Sequence, residues 1–172
     1  MRPGVLRGFT LVELTVALVI AGIVFAVGIP GLGSWIAEQE LHDRADALLR
    51  SLDRARSEAI KRGGRVDLCP GDSRCGGGAT PWEGGWAVVA DSARAGSTAV
   101  ARERGAAPGI TIRGNRPVSD YVSYTSLGRA RRFDGALQMG TFTVCRAGQR
   151  ARKVILASSG RARIERAAEV CP

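Results

Sequence analysis

The sequence predicts an α+β fold, with one long N-terminal helix followed by an antiparallel β-sheet domain. Three observations carry this expectation. Residues Leu14 to Ile29 are uncharged and mostly apolar. Leu41, Ala45, Leu48, Leu52, Ala55 and Ala59 then recur at alternating intervals of four and three residues, which places them on one helical stripe. Beyond Gly64 the pattern changes to short strand-like runs separated by glycine, proline and serine turns.

The elements follow in order. Gly28, Pro30, Gly31 and Gly33 interrupt the apolar helical pattern, so a kink or loosened turn is expected there. Helical periodicity resumes, with Glu38, Glu40, Asp43, Arg44, Asp46, Arg50, Asp53, Arg54, Arg56 and Glu58 on the solvated face. Gly63-Gly64 supply the chemistry that ends a helix. Strands are expected at residues 65–69, 85–90, 110–113, 121–124, 140–145 and 153–157, with a short last one at 161–164. Residues 92–120 otherwise give no usable pattern. Trp82 and Trp86 read as core or loop-anchoring aromatics. A helix on a sheet domain of about 100 residues can bury a workable core.

The head of the apolar run carries the most specific signal. Gly8-Phe9-Thr10-Leu11-Val12-Glu13 stands after Arg2 and Arg7, and Glu13 is the one charge before the run is over. A carboxylate inside a membrane helix costs roughly 2.5–3.5 kcal/mol near the bilayer centre and less near its edge. Glu13 therefore needs a partner, and the most economical one is the amino group freed if the chain is cut between Gly8 and Phe9. An ordinary signal peptide is cut after its apolar run, whereas here the small residue precedes it. Residues 9–29 would extend about 31 Å as a helix, enough to cross one bilayer core. The arginines ahead of the run predict a cytoplasmic N-terminus and an exported remainder.

This segment resembles the type IV prepilin signature: a short basic leader, a terminal glycine, a methylatable phenylalanine, Thr-Leu-Val-Glu and about twenty apolar residues. The resemblance implies a type IV pilin-like fold, cleavage after Gly8 by a prepilin peptidase and N-methylation of Phe9. It also implies that Glu13 neutralises the N-terminus of a neighbouring pilin. Further along, Val66-Asp67-Leu68-Cys69, the loop holding Cys75, Trp82-Glu83-Gly84-Gly85-Trp86 and a strand ending in Asp91 resemble the globular domain of the GspH/FimT family. Residues Val154 to Arg163 look like the C-terminal part of its FimT and FimU branch. The expected organisation is a leader at 1–8, a membrane and assembly helix at 9–30, an amphipathic continuation at 31–63 and a periplasmic β domain at 64–172, held in the inner membrane.

All four cysteines lie beyond the apolar run, which suits an oxidising compartment. Four cysteines allow three pairings, which sequence does not decide. The favoured one joins Cys69 to Cys75 across a small loop and Cys145 to Cys171, tying the tail to a strand. No Cys-x-x-Cys pair is present and the single histidine, His42, sits in a helical segment, so neither zinc nor any other cofactor is expected.

Charge is distributed unevenly. Residues 31–61 hold five basic and six acidic side chains, a net of −1, whereas residues 62–172 hold eighteen and nine, a net of +9. Residues 113–172 alone carry twelve basic and four acidic groups, a net of +8, and only Lys153 among these cations is not arginine. Arginine's planar fork suits phosphate, although a codon bias toward arginine would explain part of the count. Gly128-Arg129-Ala130-Arg131-Arg132 and Gly160-Arg161-Ala162-Arg163 share Gly-Arg-Ala-Arg. On an extended segment Arg161 and Arg163 point to the same side. The second copy matches the Gly-Arg-x-Arg motif with which FimT-type proteins bind DNA in natural transformation. The resemblance thus implies DNA contact by Arg161 and Arg163 and, around them, by Arg150, Arg152, Lys153 and Arg166.

No enzymatic constellation is found. Ser158-Ser159 has no histidine in the β domain to activate it, and Asp67, Asp72 and Asp91 form no metal loop. Gly76-Gly77-Gly78 and Gly84-Gly85 lack the lysine and the strand–helix setting of a phosphate loop. Two functions remain: a FimT-like pilin that binds DNA without sequence preference, and a structural minor pilin or pseudopilin, like FimU or GspH, that primes a filament.

Overall fold

The computed structural model describes residues 10–71, 75, 81–90 and 98–172. Gly8 and Phe9, like the rest of the leader, lie outside them, as do Asp72, Gly76-Gly77-Gly78 and Asp91. The chain divides by its internal contacts into Met1–Ile36 and Ala37–Pro172.

The first unit is helical. Helix α1 is assigned without interruption over Leu11–Arg62, so the glycines and Pro30 do not end it. A proline removes one donor and need not stop a helix that continues on both sides. Thr10 and Glu13 form a capping box at its start. The Thr10 backbone N–H and hydroxyl each donate to Glu13 Oε2 at 3.0 Å, and the Glu13 N–H donates back to Thr10 Oγ1 at 3.2 Å. Among the described residues no helix is long and apolar enough to cross a membrane.

The second unit begins with the amphipathic half of α1. Leu41, Ala45, Leu48, Leu52, Ala55 and Ala59 are all fully buried, as their spacing predicts. The helix closes in a Schellman motif: the Gly64 N–H reaches the Ala59 carbonyl and the Gly63 N–H that of Ile60, each at 3.3 Å, with Gly63 at φ +62°.

Eight strands follow: β1 Val66–Pro70, β2 Gly85–Ala90, β3 Thr98–Arg104, β4 Ile110–Gly114, β5 Val122–Tyr124, β6 Gly140–Arg146, β7 Arg150–Leu156 and β8 Ala162–Val170. They form two four-stranded sheets, ordered β3-β2-β1-β5 and β4-β6-β7-β8, with every pairing antiparallel. Strand β3 falls where the sequence gives no pattern. It is an edge strand that opens on Thr98-Ala99-Val100-Ala101 and ends in three consecutive charges, Arg102-Glu103-Arg104, and it is held by its ladder to β2. Strand β8 runs well past the short segment expected at 161–164.

One core joins the helix stripe to both sheets, through Val66, Leu68, Trp86 and Val88 on the first and Ile112, Phe142, Val144, Val154 and Leu156 on the second. Trp82 packs edge-on against Phe142, centroids 5.0 Å apart, and its Nε1–H donates to the Ser119 carbonyl at 2.7 Å. Gln138 is fully buried and fully used. Its Oε1 accepts from the Ser123 N–H at 2.9 Å, and its Nε2 donates to the Pro117 and Tyr121 carbonyls.

Cys69 is bonded to Cys75, Cα atoms 4.9 Å apart, and Cys145 to Cys171, 5.6 Å apart. The second bond joins β6 to the residue after β8 and packs with Ala151 and Ala167 in a small cluster of its own. Replacing Cys145 with serine should lower the unfolding free energy by about 3 kcal/mol. Chemical denaturation of the two proteins checks this, and equal midpoints would contradict it.

Candidate nucleic-acid interface

The residues singled out by charge converge on the β7–β8 hairpin, and its register sorts them by face. Val154 pairs with Ile164 and Leu156 with Ala162, and these side chains turn to the core. Lys153 opposite Glu165 and Ile155 opposite Arg163 therefore turn outward. Arg161 stands in the connecting turn and is exposed.

Arg152 and Arg166, expected as further DNA contacts around the motif, share the other face. They pair with each other in register, and both guanidinium groups reach Glu38 of α1, at 3.0 Å and 2.5 Å. Arg146 binds Glu40, two residues on. These three arginines tie the sheet to the helix, and two helix carboxylates offset part of their charge. Arg150 lies at the opposite end of the hairpin from the turn, about 20 Å away at 3.3 Å per residue. A register shift between Arg150 and Arg152 separates it from the regular ladder.

The outward cations differ in what they touch. Lys153 Nζ is 3.2 Å from Glu169, and Arg163 Nε donates to Glu165 at 2.8 Å. The Arg161 side chain has no hydrogen bond or ion pair among the described residues. Both partnered side chains meet carboxylates that are themselves about half or more exposed, so water screens the pairs and each contributes little.

The β7–β8 turn has a counterpart. The Gly160 N–H donates to the Ala157 carbonyl and the Ala157 N–H to the Arg161 carbonyl, both at 2.9 Å. Thirty-two residues earlier (160 − 128), the Gly128 N–H donates to the Thr125 carbonyl at 2.8 Å and the Thr125 N–H to the Arg129 carbonyl at 3.0 Å. Each is a three-residue turn completed by a left-handed glycine, with φ +84° at Gly160 and +69° at Gly128. The glycines abut, since a Cβ on Gly160 would overlap the Gly128 carbonyl oxygen. Below them lies the Tyr124 ring, fully buried, its hydroxyl without a hydrogen-bond partner. Burial first, then the nearby Asp53 carboxylate, holds that phenol far above its ordinary range.

Sequence reasoning found the repeat but not its juxtaposition, and it left Arg129 out of the site. It also placed Glu38 and Glu40 among solvated residues, because only the sheet register reveals what faces them. The assembled surface is an exposed, predominantly cationic edge suited to an extended polyanion. Among the described residues no group of histidine, cysteine, aspartate and glutamate could hold a metal ion.

Residues 44–160 match the family model described as type II transport protein GspH, and residues 7–29 match the prokaryotic N-terminal methylation motif. The fold is similar to that of the Pseudomonas aeruginosa type IV minor pilin FimU. In one crystal form the TM-score is 0.59 at 20% identity, covering 76% of this chain and 92% of FimU. In a second form it is 0.52 at 20% identity, covering 72% and 91%. No curated protein sequence matches the chain.

Gly160→Ala should cost at least about 1–2 kcal/mol for the left-handed backbone alone, and more for the overlap with Gly128. A thermal melt tests it, and an unchanged midpoint would show that the two turns are not in contact. Glu38→Gln should lower stability by about 1 kcal/mol, because half-exposed pairs contribute modestly. It should leave polyanion affinity unaltered, whereas a gain in affinity would mean that Arg152 and Arg166 had been withheld from the outer surface.

Proposed function

The chain belongs to the type II transport protein GspH family, and we propose that it is a minor pilin of a type IV pilus system that binds DNA without sequence preference for uptake in natural transformation. In this reading a prepilin peptidase cuts after Gly8 and Phe9 is N-methylated. The helix over residues 9–30 then anchors the protein in the inner membrane, with the β domain on the periplasmic side, until it enters a filament. Glu13 serves assembly. Both Thr10 hydrogen bonds fall on its Oε2, and among the described residues none falls on Oε1, the atom this reading gives to a neighbouring subunit's N-terminus.

The observation that carries DNA binding is the outer edge of the β7–β8 hairpin. Arg161 is exposed and its side chain has no partner among the described residues, and Arg163 follows on the same side. Lys153 adds charge on that face, and Arg150 adds it at the far end. Arg152 and Arg166 set the hairpin against α1 and are not contacts in this reading. Such a surface meets phosphates rather than base edges, so affinity falls steeply with salt and follows no sequence.

One observation favours a second reading, a purely structural minor pilin or pseudopilin. Arg163 already holds the carboxylate of Glu165, and an acidic patch on a neighbouring subunit could occupy the same edge.

The full-length protein in a non-ionic detergent should bind duplex DNA of unrelated sequences with similar affinity, roughly micromolar at physiological salt. Exchanging Arg161 and Arg163 together for glutamine should largely abolish this while the melting temperature holds. Binding that survives the exchange, or is absent from the native protein at low salt, sinks the DNA reading and leaves the structural one. Processing is tested separately. Gly8→Val should leave an uncut, membrane-bound precursor, and normal trimming of that variant would refute cleavage after Gly8.

A further inference from the structure

We propose that the two Gly-Arg-Ala-Arg turns form one composite phosphate-binding edge, with Arg129 a contact of the same rank as Arg161. This rests on the DNA-binding reading above and extends it to a residue on a different hairpin.

The two turns match residue for residue. Tyr124 pairs with Ala130 across the first turn as Leu156 pairs with Ala162 across the second. Ser126 and Ser158 occupy the same turn position, as do Gly128 and Gly160. Ala130 is fully buried and Ala162 packs against the same core, so the arginine ahead of each is turned the other way. Arg129 and Arg161 are both exposed, and neither side chain has a hydrogen bond or ion pair among the described residues.

Their proximity is fixed by backbone. The space a Cβ on Gly160 would need is filled by the Gly128 carbonyl oxygen. Each arginine Cα lies about 3.8 Å from that of its glycine. Two long cationic side chains thus rise from one point of contact between two hairpins. Two hairpins locked at their glycines hold this spacing better than one mobile loop, so little ordering is required when a polyanion binds.

A third cation lies underneath. The Arg56 side chain of α1 passes below the first turn, its Nε 3.1 Å from where a Cβ on Gly128 would stand. That nitrogen is buried and makes no hydrogen bond. Burial raises the pKa of Asp53, and Arg56 lies near enough to lower it, though less strongly. The turn serines add hydroxyl donors of the kind that meet phosphate oxygens.

Binding of a fluorescent duplex by the detergent-solubilised full chain, titrated across salt concentrations, tests the proposal. Arg129→Gln should weaken binding roughly threefold or more, as Arg161→Gln does. It should also reduce the slope of log affinity against log salt by about 0.9, the loss of one phosphate contact. Arg104→Gln, on the edge strand of the other sheet, removes the same charge and should change neither quantity appreciably. If Arg129→Gln behaves like Arg104→Gln while the Arg161, Arg163 exchange still abolishes binding, the composite edge is wrong and the DNA reading stands. If that double exchange has no effect, both fall. If Arg129→Gln impairs incorporation into filaments with DNA affinity intact, the edge is a pilin contact, which also overturns the proposal.

Discussion

Burial of one helical stripe is the constraint on which the domain depends. Leu41, Ala45, Leu48, Leu52, Ala55 and Ala59 are fully covered, and the inner faces of both sheets close over them in a single core. Neither sheet alone would bury both of its faces, and each uses the helix to cover one. Three of the six stripe residues are alanine, which lets backbones approach the helix closely. Large side chains such as Trp86, Phe142 and Tyr124 enter from the sheet side and fill the remaining space. The polar groups trapped between loops are satisfied locally, most completely by Gln138, which bridges three backbone groups.

Electrostatics then orient the second sheet on that core. Glu38 takes two arginines of the β7–β8 hairpin and Glu40 takes one from β6. Three of the twelve cations in the last third of the chain thus meet the helix, where two carboxylates partly offset them. The surface field is smaller than the net charge of +8 over residues 113–172 suggests, but it is better localised. Among the cations that face outward, Arg129 and Arg161 stand at adjoining turns whose contact fixes their direction.

Legibility of the fold from sequence followed the strength of the local physics. The helix stripe, its glycine cap and β2 could be read residue by residue, because apolar spacing and chain-breaking glycines leave little alternative. Strand β3 could not be read, since an edge strand with four small or apolar residues followed by three charges carries no alternation and is defined by its neighbour's hydrogen bonds. The length of β8 was missed for the same reason. At the candidate site, the residue types were legible but their faces were not. The partners of Arg152 and Arg166 lie on α1, far away in sequence, and no local signal marks them. The contact between Gly128 and Gly160 is likewise a tertiary event, although the repeated tetrapeptide was visible.

The bond between Cys145 and Cys171 has a mechanical consequence. Strand β8 is the outermost of its sheet and pairs only with β7. An edge strand pulled from one end would peel away hydrogen bond by hydrogen bond, each rupture loading the next. Here the far end of β8 is riveted covalently to β6, across β7. A pull applied at the arginine-bearing turn is therefore shared among three strands at once, and peeling cannot run to completion.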